Sequence, residues 1–131
     1  MKAQIIAMID RYRHAVHTQE ADDFYPLWNP QAQCTLISPG DYYTGVDSIY
    51  SDFLIGGIRK AYSRIDLITE NVDVRIVNDG CAIAIFAYST DCDRRDTGEK
   101  FGIAGLETQV YNKVDGEWKL THVHYSGVKK P

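Results

Sequence analysis

Apolar residues recur at helical spacing near the start of the chain. The segment from residue 5 to residue 16 carries an apolar stripe made of Ile5, Ile6, Ile9, Tyr12 and Val16. This spacing predicts an amphipathic helix that packs on a flat surface. Asp22 and Asp23 then indicate the start of a short, capped second helix. Because a residue before proline is pushed out of the helical conformation, that helix is expected to end before Asn29-Pro30.

Residues 34–44 predict two short strands, and a third helix follows them. Residues 34–38 read as extended, Pro39-Gly40-Asp41 as a turn, and residues 42–44 as the returning strand. Gly45 opens the third helix, whose apolar positions again fall on one face. We expect this helix to stop at Gly56-Gly57, because two flexible residues weaken its propagation.

The rest of the chain has the alternation and the turns of a β-sheet. Strands are predicted over residues 72–77, 81–90, 101–114 and 118–126, joined by Asn78-Asp79-Gly80, a polar loop and Asp115-Gly116. Gly102 and Gly105 interrupt the third of these strands. We therefore expect a bend, a bulge or a close backbone approach there, with the sheet curving. Residues 128–131 are expected to be a loose tail.

Helices followed by a run of strands predict an α+β fold, with the N-terminal helices packed on a curved antiparallel sheet. The chain has 131 residues, 44% of them hydrophobic, which is enough for one buried core, so we expect a single domain over residues 1–131.

Composition and charge exclude several classes of partner. The formal net charge is −4 and the Lys and Arg residues are scattered, which argues against nucleic acid as a partner. The sequence contains neither an apolar run long enough to span a bilayer nor a signal-peptide pattern, so we expect no membrane partner and a cytoplasmic location. The three cysteines form no CxxC pair, and we expect neither a structural metal nor a cofactor.

The C-terminal third contains the most specific motifs. They are Leu106-Glu107-Thr108-Gln109-Val110-Tyr111, Asp115-Gly116-Glu117-Trp118 and His122-Val123-His124-Tyr125-Ser126-Gly127. These segments and their spacing resemble the end of the association (hub) domain of calcium/calmodulin-dependent protein kinase II. Upstream, Asp23-Phe24, Asn29-Pro30 and Gly45-Val46-Asp47 also match that family, so the resemblance covers nearly the whole chain.

The resemblance implies a cystatin-like cone of the nuclear-transport-factor-2-like (SnoaL-like) superfamily. In such a cone a curved sheet wraps around a long N-terminal helix and encloses a pocket. It also implies self-association into a homodimer or a larger ring. The kinase association domains place arginines around that pocket, whereas this chain has Ala87, Gln109 and Tyr125 at the corresponding positions. A small carboxylate ligand is therefore not expected.

Several polar and aromatic residues are candidates for the pocket. The expected lining is Tyr12, Trp28, Tyr43, Tyr88, Glu107, Gln109, His122 and His124. His122 and His124 are two residues apart on a strand and share one face, with Glu107 as the nearest lone carboxylate. The three could hold a metal, satisfy each other by hydrogen bonds, or form an acid/base couple.

Two function hypotheses follow. The leading one is a free-standing, non-catalytic association module whose cone binds a small apolar molecule or nothing. The alternative is a small SnoaL-like enzyme, an isomerase, cyclase or hydrolase, that uses Glu107 with His122 or His124. A third, weaker hypothesis is a protein partner of a kinase or another enzyme.

Overall fold

The computed structural model describes residues 1–130, and it begins with a long helix. Helix α1 spans Lys2–Thr18 and includes the predicted segment. Four of the five residues of the predicted stripe, Ile5, Ile9, Tyr12 and Val16, are at most 3% exposed, whereas Ile6 is 44% exposed and lies off the buried face. The helix ends at Gln19, which has left-handed backbone angles. Within residues 1–130 no helix is both long and apolar enough to cross a membrane.

The predicted short second helix is present and ends before Asn29. Helix α2 spans Ala21–Phe24 and continues as a single 3-10 turn over Tyr25–Leu27. Trp28 is then extended and forms an isolated parallel bridge with Leu120. This bridge fixes the helical layer to the last long strand of the sheet.

The third helix is longer than predicted. After the hairpin of β1 (Thr35–Ser38) and β2 (Asp41–Thr44), helix α3 (Val46–Ser48) continues directly as a π-helix over Ile49–Arg59. The prediction that the helix stops at the glycine pair was therefore wrong.

The wide helical turn explains why glycine is used there. A Cβ atom on Gly56 would lie 3.0 Å from the carbonyl oxygen of Ser51, five residues earlier. In a π-helix the backbone hydrogen bonds join residues five apart, so the carbonyl oxygen of Ser51 lies next to the backbone of Gly56. Gly56 thus fits the wider turn instead of ending the helix.

The strands form one strongly curled sheet with the order β2-β1-β7-β6-β4-β3. The remaining strands are β3 (Tyr62–Asn78), β4 (Cys81–Arg94), β5 (Lys100–Phe101), β6 (Ile103–Val114), β7 (Glu117–Tyr125) and β8 (Val128–Lys129). The sheet is mixed and not wholly antiparallel, because β1 runs parallel to β7. A parallel pair is possible here since a long stretch of chain, and not a tight turn, separates the two strands.

Strand β3 begins ten residues before the predicted start. Ile65 and Leu67 are buried in its first half, whereas Asn71 has a positive φ of 55°. The pairing with β4 shifts register between Glu70 and Asp73, which marks a bulge. The bulge changes the phase of the alternation, because the buried positions are odd-numbered before it (Ile65, Leu67) and even-numbered after it (Val74), so no single alternating pattern runs through the whole strand.

The C-terminal end is paired with the sheet and is not a loose tail. Strand β8 pairs with β6, with Val128 opposite Ala104 and Lys129 opposite Ile103. The prediction was wrong for these residues because ladder hydrogen bonds, which composition does not reveal, fix them in place. Pro131 lies outside the described residues.

A close backbone approach accounts for the two glycines of this region, one of the expected explanations. A Cβ atom on Gly102 would lie 2.3 Å from the carbonyl oxygen of Thr90. A Cβ atom on Gly105 would lie 2.3 Å from that of Ser126. Both distances are too short for any side chain.

Candidate functional site

The concave side of the sheet encloses an open cavity of about 240 Å³. Its aliphatic lining is Val16, Ile58, Ile65, Leu67 and Ile103, and its aromatic lining is Tyr12, Tyr43, Phe53, Tyr62, Tyr88 and Tyr125. The polar side chains are those of Ser38, Thr90 and Glu107. No Lys, Arg or His is among the lining residues of the described chain.

Glu107 is the acidic residue of this cavity. Alternation along β6 turns Glu107, Gln109 and Tyr111 toward the concave side, and all three are buried. Gln109 Nε2 donates a hydrogen bond to Glu107 Oε2 over 2.7 Å. The Tyr111 hydroxyl in turn donates to Gln109 Oε1. These two hydrogen bonds fix the Oε2 atom of Glu107, while its Oε1 atom has no hydrogen-bond partner within residues 1–130.

Burial decides the protonation state of Glu107. The apolar surroundings raise the pKa of its carboxyl from 4.5 to about 8, and the hydrogen bond from Gln109 offsets only part of that effect. At neutral pH the Glu107 carboxyl group is therefore mostly protonated. A carboxyl group with a pKa near the working pH can accept or release a proton at little cost.

Aromatic rings form a continuous wall beside Glu107. The ring centroids of Tyr43 and Phe53 are 5.6 Å apart, those of Phe53 and Tyr125 6.1 Å, and those of Tyr125 and Tyr88 5.6 Å. The Tyr88 hydroxyl donates to the carbonyl oxygen of Ser126 over 2.5 Å. Burial raises the pKa of Tyr88 and Tyr125, so both remain neutral phenols.

The structure divides the predicted pocket residues into two groups. Tyr12, Tyr43, Tyr88 and Glu107 are among the lining residues. Trp28, Gln109, His122 and His124 are not. Gln109 is fully buried and supports Glu107 through the hydrogen bond described above. Trp28 packs against Phe24, with ring centroids 5.6 Å apart, and belongs to the core.

The histidines lie on the other face of the sheet. His122 pairs with Val110 and His124 with Thr108, whereas Glu107 pairs with Tyr125. Directly paired residues project to the same side, so both histidines lie on the convex face, opposite Glu107. The predicted acid/base couple is therefore not formed, and these three residues cannot hold one metal ion. The reason lies in the alternation of β7, in which the inward-facing Val123 and Tyr125 turn the intervening His124, and His122 with it, away from the cavity.

Each histidine has a simpler environment on the convex face. A ring nitrogen of His122 lies 2.6 Å from Thr35 Oγ1 on the neighbouring strand β1. Desolvation, together with His124, lowers the pKa of His122 and favours its neutral form. His124 is exposed. Their ring centroids are 6.4 Å apart, which agrees with the shared face read from the sequence.

Phe53, Tyr62 and Tyr125 line the cavity without having been predicted there. Phe53 lies on the third helix, in the part that was predicted as helical. Tyr62 is the first residue of β3, in the half of that strand that was not predicted. Tyr125 could have been placed by alternation, because its neighbour Val123 is fully buried and lies on the same face. The sequence prediction for Tyr125 was only that it stands at an arginine position of the kinase association domains.

The family model for the calcium/calmodulin dependent protein kinase II association domain matches residues 1–129. The chain belongs to this family. Of the three positions at which the resemblance leads one to expect arginine, Ala87, Gln109 and Tyr125, only Tyr125 lines the cavity of this association-domain chain. Among curated protein sequences none matches the chain significantly.

Solved structures with the same fold include proteins of different kinds. A nuclear transport factor 2 (NTF2-like) superfamily protein from Salmonella enterica superposes with a TM-score of 0.90 and 26% identity, over 98% of this chain and 92% of that one. The hexachlorocyclohexane dehydrochlorinase LinA-type3 from Novosphingobium barchaimii gives 0.86 and 15%, over 99% and 88%. A Xanthomonas campestris protein named for the kinase association domain gives 0.79 and 21%, over 95% and 85%.

Proposed function

We propose that this association-domain chain is a self-associating module whose cone binds a small, mostly apolar ligand. The observation that carries the proposal is the open cavity of about 240 Å³, in which aromatic and aliphatic side chains surround a single carboxyl group. Concave sites with an apolar lining and a few convergent polar groups are the usual form of small-molecule sites.

The convex face of the sheet supports the self-association part of the proposal. Ile85 and Leu106 are 41% and 62% exposed and lie on neighbouring strands of that face. A sheet face that meets only water is normally polar, because each strand alternates between a core side and a solvent side. A twofold pairing would bury the same patch on both copies.

Light scattering over a dilution series tests this part. We expect the wild type to have at least twice the mass of one chain, and Leu106→Lys and Ile85→Lys to shift it toward the monomer. Ile6→Lys is the matched control, since Ile6 is 44% exposed but lies on helix α1. A wild type that is monomeric at every concentration would overturn the self-association part.

Native mass spectrometry of the same samples tests the ligand part. A retained small molecule, released when the protein is denatured, would support occupation of the cone. The bulky substitution Tyr125→Trp would reduce the space beside Glu107 and should release that molecule without changing the mass of the assembly. A retained molecule that survives this substitution unchanged would place it outside the cone.

A second candidate function is proton transfer by Glu107, and the raised pKa of about 8 favours it. The dehydrochlorinase named above shares the fold, and its name denotes an elimination reaction, in which a base removes a proton. In this chain the ionised carboxylate would take the proton through Oε1, without a histidine. Neutral tyrosine hydroxyls could donate hydrogen bonds to the developing negative charge.

Deuterium exchange into small carbonyl compounds in heavy water, followed by NMR, tests this second function. Exchange that rises with pH toward 8 and disappears in Glu107→Gln would support it. Exchange that persists in Glu107→Gln would exclude Glu107 as the base, and the binding function would stand alone.

A further inference from the structure

The proposed ligand-binding role leads to a more specific inference about the ligand. We infer that the cone selects small organic amines, with a positively charged ammonium group held against the Glu107 carboxylate and surrounded by tyrosine rings. The inference rests on the charge of the lining, the aromatic wall and the free oxygen of Glu107.

The charge of the lining disfavours anionic ligands. Glu107 is the only carboxyl group among the lining residues of the described chain, which include no Lys, Arg or His. A carboxylate or phosphate placed there would lose its hydration and gain no opposite charge, which is costly in an apolar cavity. A cation would instead meet a carboxyl group that can become its counter-ion.

The aromatic wall is the second feature that favours a positively charged ligand. The rings of Tyr12, Tyr88 and Tyr125 are close enough to Glu107 to interact with its charge. Each ring has a negative face that attracts an organic cation, and the attraction is larger when the cation is desolvated. Groups of aromatic rings beside a carboxylate are therefore suited to ammonium groups.

The free carboxyl oxygen of Glu107 is the third feature that favours an ammonium group. Gln109 occupies Oε2, and the Tyr111 hydroxyl fixes the orientation of the Gln109 amide. Oε1 has no protein donor within residues 1–130, although Glu107 belongs to the lining. An ammonium group carries only donors, so it matches an oxygen that only needs to accept.

Ammonium binding must release a proton, and this gives the inference a signature. The empty site holds Glu107 as a neutral acid, so a protonated amine binds by forming the ion pair and expelling the acid proton to solvent. The other titratable groups that face Glu107 are Tyr12, Tyr88, Tyr111 and Tyr125, all with raised pKa values and hence neutral between pH 6 and 9. The affinity should therefore follow the ionisation of Glu107 alone, rising with pH and levelling off above about 8.

The size of the cavity limits the amine. About 240 Å³ lies below the range of roughly 300–1,000 Å³ that is typical of sites for drug-sized ligands. One ring with a short aminoalkyl arm is an appropriate size.

Calorimetry with benzylamine, benzyl alcohol and benzoate tests the inference, since the three have one ring and differ in charge. At pH 8 we expect benzylamine to bind at least tenfold more tightly than benzyl alcohol, and benzoate to give no signal. The affinity for benzylamine should increase about tenfold from pH 6 to 7, which is the change expected for one released proton. Two buffers with different ionisation enthalpies should report that proton directly.

Glu107→Gln should abolish both the preference for benzylamine and the pH dependence. Glu117→Gln is the matched control, because the Glu117 side chain is 74% exposed on the same sheet and should leave binding unchanged. If Glu107→Gln does not fold, the pH series and the proton count of the wild type decide the question without it.

The outcomes separate this inference from the proposed function. Benzyl alcohol that binds as tightly as benzylamine, or benzylamine affinity that does not change with pH, would overturn the amine inference and leave a cone for neutral ligands. If none of the three probes binds and no molecule is retained in native mass spectra, both the amine inference and the ligand part of the proposed function fail.

Discussion

Gln109 lies two residues after Glu107 on strand β6 and donates its side-chain amide to the Glu107 carboxyl group over 2.7 Å. Both residues are buried, and Gln109 also accepts the hydroxyl hydrogen of Tyr111. Gln109 therefore positions the carboxyl group and also moderates its pKa, because a hydrogen bond to the charged form favours ionisation.

The first prediction concerns the loss of this hydrogen bond. Gln109→Met keeps much of the side-chain volume but removes the donor, so the pKa of Glu107 should rise further. Carbon NMR of the Glu107 carboxyl group during a pH titration measures that shift. The same change leaves the buried Tyr111 hydroxyl without its acceptor and should lower the free energy of unfolding by about 1–3 kcal/mol. A pKa that stays the same would mean that Gln109 does not act on the carboxyl group.

The second prediction is a pH-dependent stability that comes from Glu107. Its pKa is about 8 in the folded chain and near 4.5 when exposed, so between these values the folded state holds a proton that the unfolded state has lost. The contribution of Glu107 to stability is complete below pH 4.5 and declines as the pH rises to about 8, by at most ~1.4 kcal/mol per pH unit.

Urea denaturation of wild type and Glu107→Gln at pH 5, 6, 7 and 8 measures this decline. Glutamine does not ionise, so the variant should not lose the stability that the wild type loses as the pH increases. The free energy of unfolding of the variant should therefore rise relative to that of the wild type. The difference between the two proteins cancels the pH dependence of the other groups. A difference that is constant from pH 5 to pH 8 would contradict the raised pKa.

The third prediction concerns the two histidines. They lie on the convex face, so replacing His122 and His124 by alanine should leave ligand affinity in the cone within about twofold of the wild type. Loss of the contact with Thr35 Oγ1 should reduce stability by about 1 kcal/mol at most. Calorimetry with benzylamine checks the first effect and thermal unfolding the second. A large loss of affinity would mean that the histidines act on the cavity.

The histidines also show what the sequence could and could not predict about the site. Alternation within β7 correctly placed His122 and His124 on one face. Which face that is depends on the pairing of β7 with β6, and the register shift between Val110 and Tyr111 changes this pairing along the strands. The sequence of β7 nevertheless marks this shift, because its inward-facing positions change from Trp118 and Leu120 before the bulge to Val123 and Tyr125 after it.

The fold was more predictable than the site because its signals are local. The apolar stripe of α1 and the turn residues of the hairpins act over a few positions, and the family motifs cover nearly the whole chain. The missed features depend on distant partners. Strand β8 exists only because β6 offers it an edge, and the π-helix continues through Gly56 because that residue allows a wider turn.

The last prediction uses the close approach at Gly105. A Cβ atom there would lie 2.3 Å from the carbonyl oxygen of Ser126 and 2.8 Å from its carbonyl carbon, and both are backbone atoms that cannot rotate away. Gly105→Ala should therefore separate β6 from the segment that leads into β8, at a cost of about 1–3 kcal/mol in the free energy of unfolding.

Gly80→Ala is the matched control for this substitution. Gly80 lies in the turn between β3 and β4, where its Cβ atom would be 3.8 Å from the Asn78 side chain, an ordinary contact. Urea denaturation should show a much smaller loss for this variant, and hydrogen exchange should show faster exchange at Val128 and Lys130 only in Gly105→Ala. Equal losses in the two variants would mean that the cost comes from replacing glycine as such, and that the close approach of Ser126 does not hold the C-terminal strand in place.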